Sequence, residues 1–263
     1  MNVGKTRRLK KIMQKDNRTV IVPMDHGVTI GPIQGITNMQ TIANQLLKGK
    51  VDAILVHKGI AKCVDVDGAG LIVMLSGASN LGPNPNGKVQ VCSVGEALRL
   101  GADAVSVHVN IGAQDEDKML ANLGKVSEEC EHYGLPLLAM MYPRGPKIVD
   151  EHAPEVVAHA ARIGAELGAD IIKTNFTGNI ETFKTVTESC PAPVVIAGGP
   201  KCKSMHEVLQ TTFDSLKAGA AGLSIGRNVF QCENPTQIAK ALSAIVHEGA
   251  SVEQAQNILG EKR

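Results

Sequence analysis

Eight short, almost uninterrupted apolar runs rich in Val and Ile alternate with longer amphipathic stretches along this chain. The runs are Thr19–Met24, Asp52–Val56, Leu71–Leu75, Asp103–His108, Pro136–Met141, Asp170–Thr174, Pro193–Ala197 and Gly222–Ile225. A strand without polar alternation is one buried on both faces, the setting of a parallel sheet covered by helices. Helical periodicity lies between most of the runs, at Met39–Leu47, Val94–Leu100, Glu116–Tyr133, Glu155–Leu167, Ile180–Ser189, Met205–Ala218 and Pro235–Glu248. The phrases Gly101-Ala-Asp103, Gly168-Ala-Asp170 and Gly219-Ala-Ala221 each place a helix-capping glycine just before a strand. Eight strands in this alternation predict an α/β fold, the (β/α)8 TIM barrel; an open doubly wound sheet is the alternative. Lys58–Gly70 carries little helical pattern and predicts a loop or a short helix.

A length of 263 residues fits one such barrel, so a single domain over residues 1–263 is expected. Hydrophobic residues make up 43% of the chain but aromatics only 2%, so the core must be aliphatic. The net charge of +1 gives no general attraction to nucleic acid or to an anionic membrane. Basic residues gather only at the start, at Lys5, Arg7, Arg8, Lys10, Lys11, Lys15 and Arg18. A basic helix over about 3–16 is expected there, covering one end of the barrel; a nucleic-acid arm is the other reading. The six cysteines form no C-x-x-C pair and no signal-peptide pattern is visible, so reduced thiols in a cytoplasmic protein are expected.

Barrel active sites form at the C-terminal ends of the strands. The residues ending these runs include Asp25-His26-Gly27, His57, His108, Tyr142-Pro-Arg144, Lys173-Thr174, Gly198-Gly199 and Gly226-Arg227. Lys173 stands out because it lies inside a strand expected to be fully buried, on the face it shares with Ile171. Apolar surroundings lower a lysine pKa and free its amine to attack a carbonyl. The competing reading is a lysine reaching solvent from a strand end. Asp25 can take protons from a hydroxyl, or can simply cap a helix or turn. Tyr142 can deliver protons at a strand mouth, or pack with its hydroxyl on backbone. Gly198-Gly199 and Gly226-Arg227 follow strands seven and eight, the usual phosphate position of barrels, although glycines also serve plain turns. Asp25, His26, His57 and His108 could in principle meet at a metal, but a Schiff-base lysine makes one unnecessary, and none is expected.

The phrases Pro23-Met-Asp-His-Gly27, Met141-Tyr-Pro-Arg-Gly145, Asp170-Ile-Ile-Lys-Thr174, Ala197-Gly-Gly-Pro-Lys201 and Ser224-Ile-Gly-Arg-Asn228 resemble, in order, the archaeal-type class I aldolase family. The resemblance runs from about Lys10 to His247 and implies a barrel that works without metal or organic cofactor. It implies Lys173 as the Schiff-base lysine, Tyr142 as proton donor and Asp25 as proton acceptor. It implies substrate or phosphate contacts from Asp25, His26, Gly27, Val28, Thr29, Tyr142, Pro143, Arg144, Gly198, Gly199, Gly226 and Arg227. Thr29-Ile30 stands where the family pattern has a smaller Ser-Asn pair. His57-Lys-Gly-Ile60, Val105-Ser-Val-His-Val-Asn110 and Cys190-Pro-Ala-Pro-Val194 are similar to a branch that passes a three-carbon unit from 6-deoxy-5-ketofructose 1-phosphate to L-aspartate semialdehyde. Members of that branch open an alternative route to 3-dehydroquinate and aromatic amino acids. The fructose-1,6-bisphosphate aldolase branch, or one joining dihydroxyacetone phosphate to aspartate semialdehyde, is the alternative. Homo-oligomeric rings of barrels, decamers among them, are also implied.

Overall fold

The eight apolar runs close into one parallel barrel in the computed structural model, which describes residues 3–199 and 204–260. Its strands are β1 (Thr19–Pro23), β2 (Ala53–His57), β3 (Gly70–Met74), β4 (Ala104–Ile111), β5 (Leu137–Pro143), β6 (Ile171–Thr174), β7 (Val194–Ala197) and β8 (Gly222–Ser224). Each pairs in parallel with its sequence neighbour, and β8 closes the ring on β1. The expected helices form at Met39–Lys48, Val94–Arg99, Glu116–Tyr133, Pro154–Glu166, Ile180–Ser189, Met205–Lys217 and Pro235–Glu248. The β2–β3 connection contains only the short helix Lys58–Ala61. Four pieces were not foreseen: short helices His26–Ile30 and Arg227–Phe230, a final helix Val252–Leu259, and an antiparallel ribbon pairing Ser76–Gly77 with Val89–Gln90.

Period-2 alternation sorts the strand residues into two apolar layers. Ile172, Ile196, Ala139, Met141 and Val105 face outward and pack under the helices. Ile21, Leu55, Ile72, Met74, Leu138, Met140, Ile171 and Val195 fill the barrel interior. The interior is therefore a packed core closed below the mouth, as aliphatic side chains at this density require.

The recurring Gly-Ala phrases end helices as their sequence implies. Gly101, Gly168 and Gly219 have φ of 81°, 90° and 91°, a region that suits glycine. The alanine after each donates back into the helix, Ala102 to Ala97, Ala169 to Gly164 and Ala220 to Ser215, closing a Schellman turn. The aspartates at these strand starts have a further use. Asp52 accepts from the Val20 N–H at 2.6 Å, Asp103 from Leu71 at 3.1 Å and Asp170 from Leu137 at 2.8 Å. Each carboxylate thus pins the neighbouring strand at the barrel floor. Each also meets a basic side chain: His247 at 2.9 Å, Lys11 at 2.9 Å and Lys5 at 3.1 Å respectively.

Lys5 and Lys11 belong to the N-terminal helix Val3–Ile12, which covers that floor. Ile12 is fully buried there, which contributes about 1.5–3 kcal/mol. The helix stops short of residue 16 because the chain turns at Asn17, φ 59°, with Asp16 accepting from the Arg18 N–H before β1 begins. None of the five described cysteines forms a disulfide, and Cys202 lies outside the described residues. Among the described residues no helix is long and apolar enough to cross a membrane.

Candidate active site

Lys173 faces the barrel interior from β6, in register with Met140 on β5 and Val195 on β7. Its outward neighbour Thr174 donates to the Met141 carbonyl at 2.8 Å, which fixes the strand and hence the lysine's direction. Only 5% of Lys173 is exposed, so its charge is poorly solvated. Burial pushes its pKa down to about 8; Asp25 opposes the shift and Arg227 adds to it. The lysine opens into a cavity of about 370 Å³ at the C-terminal mouth of the barrel. The other lysine reading, a side chain reaching solvent from a strand end, does not match this burial.

Asp25 leaves β1 as the residue before the short helix His26–Ile30, yet its side chain makes no capping hydrogen bond. Its carboxylate lies 3.7 Å from Nδ1 of His26, an imidazole whose pKa burial lowers. The carboxylate is therefore uncommitted and lines the same cavity as Lys173. Tyr142 points inward from within β5, two positions beyond Met140, and is 8% exposed. Burial raises its pKa well above the ordinary phenol value, so it remains a proton donor at neutral pH. Its ring is held edge-on by His108 at 5.0 Å and covered by the Arg144 guanidinium at 5.3 Å. His108 is itself fixed: Asn110 donates to the Asn86 carbonyl at 2.8 Å, so its amide oxygen faces His108 Nε2 at 2.9 Å. Burial, followed by the charge of Lys88, pushes the His108 pKa down to about 3, leaving a neutral imidazole.

On the β7–β8 side the glycines are required by close packing. A Cβ on Gly198 would stand 2.5 Å from Ile225, and one on Gly226 would stand 2.5 Å from the Pro23 carbonyl. Arg227 donates to the Gly199 carbonyl at 2.9 Å and Asn228 to Gly198 at 2.8 Å, tying the two turns together. Arg227 Nε is buried without a hydrogen-bond partner among the described residues. A guanidinium with a spare donor beside two glycine turns suits a phosphate ester.

A barrel with one buried amine, one free carboxylate and one buried phenol around a polar mouth matches a known family. The model of the DeoC/LacD family aldolase matches residues 19–232. The chain belongs to that family. A 2-amino-3,7-dideoxy-D-threo-hept-6-ulosonate synthase from Archaeoglobus fulgidus is 47% identical over 98% of this chain and 96% of its own length. A 2-amino-4,5-dihydroxy-6-oxo-7-(phosphonooxy)heptanoate synthase from Streptomyces griseus is 42% identical over 93% and 90% respectively. A solved structure described as a Schiff-base-forming fructose-1,6-bisphosphate aldolase superposes with TM-score 0.86 at 35% identity, covering 92% of this chain and 100% of its own. The protein is accordingly a class I aldolase, an enzyme working through a lysine Schiff base.

The mouth of this aldolase gathers Asp25, His26, Thr29, Tyr142, Arg144, Lys173, Gly198, Gly199, Gly226 and Arg227. Gly27, Val28 and Pro143 do not line it: Gly27 and Val28 lie exposed on the short helix, and Pro143 is buried in β5 beside Ile111. Pro200 and Lys201 of the glycine motif lie outside the described residues. Arg144 reaches the cavity, but its guanidinium is held on two sides by Glu151, at 3.1 Å and 2.9 Å. The pair holds the guanidinium over the Tyr142 ring. Among the described residues no three His, Cys, Asp or Glu side chains come together as metal ligands would. Sequence reasoning passed over Asn80, Asn86, Lys88 and Asn175 in the cavity wall. The only signal for the first three was a Pro-, Asn- and Gly-rich stretch after strand three.

For the aldolase, replacing Arg227 by Ala is expected to weaken phosphorylated substrates selectively. Losing a charge-assisted contact costs about 1.5–3 kcal/mol, roughly 10- to 150-fold in affinity. Borohydride capture of dihydroxyacetone phosphate and of dihydroxyacetone, titrated side by side, checks this. Equal losses for both would remove Arg227 from the phosphate site.

Proposed function

We infer that this aldolase transfers a three-carbon unit to L-aspartate semialdehyde and acts as a 2-amino-3,7-dideoxy-D-threo-hept-6-ulosonate synthase. The observation that carries the reaction type is Lys173, a buried amine of lowered pKa facing Asp25 and Tyr142 across one cavity. The synthase names of the two relatives support the acceptor, since both products are seven-carbon 2-amino acids.

In this reading Lys173 attacks the C5 ketone of 6-deoxy-5-ketofructose 1-phosphate. Tyr142 protonates the carbinolamine oxygen, water leaves and an iminium forms. The iminium accepts the electrons of the breaking C3–C4 bond while Asp25 takes the C3 hydroxyl proton, and hydroxypyruvaldehyde phosphate departs. The remaining enamine attacks the aldehyde of L-aspartate semialdehyde, and hydrolysis frees Lys173.

A second reading has a specific observation behind it. The two relatives' products differ at carbon 7, deoxy in one name and phosphonooxy in the other. Carbon 7 lies next to the imine carbon, on the side where Arg227 and the glycine turns form an anion cradle. Dihydroxyacetone phosphate would place its phosphate there. The test supplies L-aspartate semialdehyde with each donor in turn and reads product masses. A seven-carbon amino acid without phosphate supports the first reading, and one with phosphate the second. Fructose 1,6-bisphosphate cleavage with no amino-acid product in either case would overturn both. The same reading includes a ring of barrels, for which the fully exposed Leu81 and Val149 offer apolar contacts. Light scattering that returned a monomer would remove the ring.

A further inference from the structure

Four cations line the mouth: Lys88, Arg144, Lys173 and Arg227. Arg144 is paired with Glu151, Arg227 belongs to the glycine cradle and Lys173 is the amine of the chemistry. Lys88 has none of these commitments. It makes no ion pair among the described residues, and its ammonium donates only to the Pro85 carbonyl at 2.8 Å. Asp25 is the one carboxylate in the cavity wall among the described residues. Three cations without an ion-pair partner among the described residues, Lys88, Lys173 and Arg227, against one carboxylate make a site for a substrate anionic at more than one place.

The position of Lys88 assigns it a different place from the cradle. Strands four apart in an eight-stranded ring face each other across the mouth, so β3 and β4 stand opposite β7 and β8. Lys88 lies on the β3–β4 connection and the cradle follows β7 and β8. Its loop is braced at both ends. Asn80 donates its N–H to the Thr29 carbonyl at 2.9 Å, tying the loop to the short helix after β1. Gly87 donates to Asn84 at 3.1 Å, Asn84 donates in turn to Asp115, and the Lys88 N–H reaches Met119 sulfur at 3.4 Å. The half-buried ammonium is thus held at the wall. Burial and the charge of Arg144 depress its pKa, costs that an incoming anion would relieve.

Resting on the acceptor reading above, we propose that Lys88 anchors the anionic end of the aldehyde half of the reaction. In the first half-reaction that end is the phosphate of the departing hydroxypyruvaldehyde phosphate. In the second it is the carboxylate of L-aspartate semialdehyde. With C5 on Lys173, the phosphate of 6-deoxy-5-ketofructose 1-phosphate sits on C1, beyond the bond that breaks, and so extends away from the cradle. One lysine then serves the leaving and the incoming fragment in turn, which requires the two to compete for the same place.

The test compares wild type, Lys88→Gln and Lys88→Arg on paired acceptors. L-aspartate semialdehyde is set against 3-aminopropanal, which lacks only the carboxylate, and glyceraldehyde 3-phosphate against glyceraldehyde. Lys88→Gln is expected to raise KM for the charged acceptors roughly tenfold or more, with a much smaller change for the neutral ones. Lys88→Arg is expected to recover most of the loss. Glyceraldehyde 3-phosphate is expected to compete with L-aspartate semialdehyde in wild type and to lose that competition in Lys88→Gln. Equal losses on charged and neutral acceptors would show that Lys88 only holds its loop, and would overturn the proposal. Wild type that used glyceraldehyde 3-phosphate but not L-aspartate semialdehyde would overturn the acceptor reading alone, and the phosphate pair would still decide the role of Lys88.

Discussion

Replacing Lys173 by Ala is expected to abolish turnover and to remove every borohydride-trapped adduct. The amine has no substitute in the geometry: Lys88, the other lysine in the cavity wall, comes from the β3–β4 connection and not from a barrel strand, and Lys58 pairs with Glu96 at 3.1 Å. The variant should stay folded, because removing an ammonium that is 5% exposed relieves a desolvation cost. Mass spectrometry of the reduced reaction mixture reads the result. An adduct that persists in Lys173→Ala, mapped to Lys88 or any other lysine, would overturn the assignment. The wild-type pH profile gives an independent check. The nucleophile is the free amine, so adduct formation should rise with pH as it passes about 8. Below that value it should fall about tenfold per pH unit, since each unit leaves ten times less free amine. The charges around the lysine fix the sign of two further shifts. Asp25 raises the Lys173 pKa and Arg227 lowers it. Asp25→Asn should therefore move the profile to lower pH, and Arg227→Ala to higher pH.

The residues that were legible in the sequence are those placed by a strand's own alternation. Lys173 shares a face with Ile171, and the closed barrel turns that face inward because the opposite one must bury Ile172 under the helices. Tyr142 follows Leu138 and Met140 inward by the same parity, although the strand runs two residues past the expected end, to Pro143. The helix-capping glycines were equally legible, since a positive φ before a strand leaves few alternatives. Pieces that depend on contacts between distant segments were not. The partners of Asp52, Asp103 and Asp170 are backbone groups about 32 residues away and cations from the N-terminal helix and His247. In the sequence these aspartates looked only like strand starts, and the basic N-terminus like a helix covering one end of the barrel, with no sign of which carboxylates it would meet. Arg144 does line the cavity, but its pairing with Glu151 was not legible in the sequence. Lys88 was invisible because its loop has no periodicity; only ring closure sets it opposite the cradle.

Tyr142 and Asp25 are expected to separate under single-turnover trapping. Both line the cavity with Lys173, and both can move protons, so location alone does not assign their roles. The protonation of Tyr142 and the unoccupied oxygens of Asp25 do. Burial holds the Tyr142 phenol protonated well above its ordinary value, which makes it able to give a proton but not to take one at pH 7. Asp25 carries no capping bond that would occupy its oxygens and stands close enough to Lys173 to raise its pKa. A carboxylate so placed can accept the hydroxyl proton released as the C–C bond breaks. Tyr142→Phe should therefore slow dehydration of the carbinolamine, by about 10²–10⁴ for loss of a general acid, while the ring keeps its contacts with His108 and Arg144. Asp25→Asn should still accumulate a trappable adduct, but release the aldehyde fragment more slowly by a similar factor. Quenching with borohydride at a series of times measures adduct and aldehyde separately. An Asp25→Asn enzyme that never traps, together with a Tyr142→Phe enzyme that traps at the wild-type rate and stalls before cleavage, would exchange the two roles.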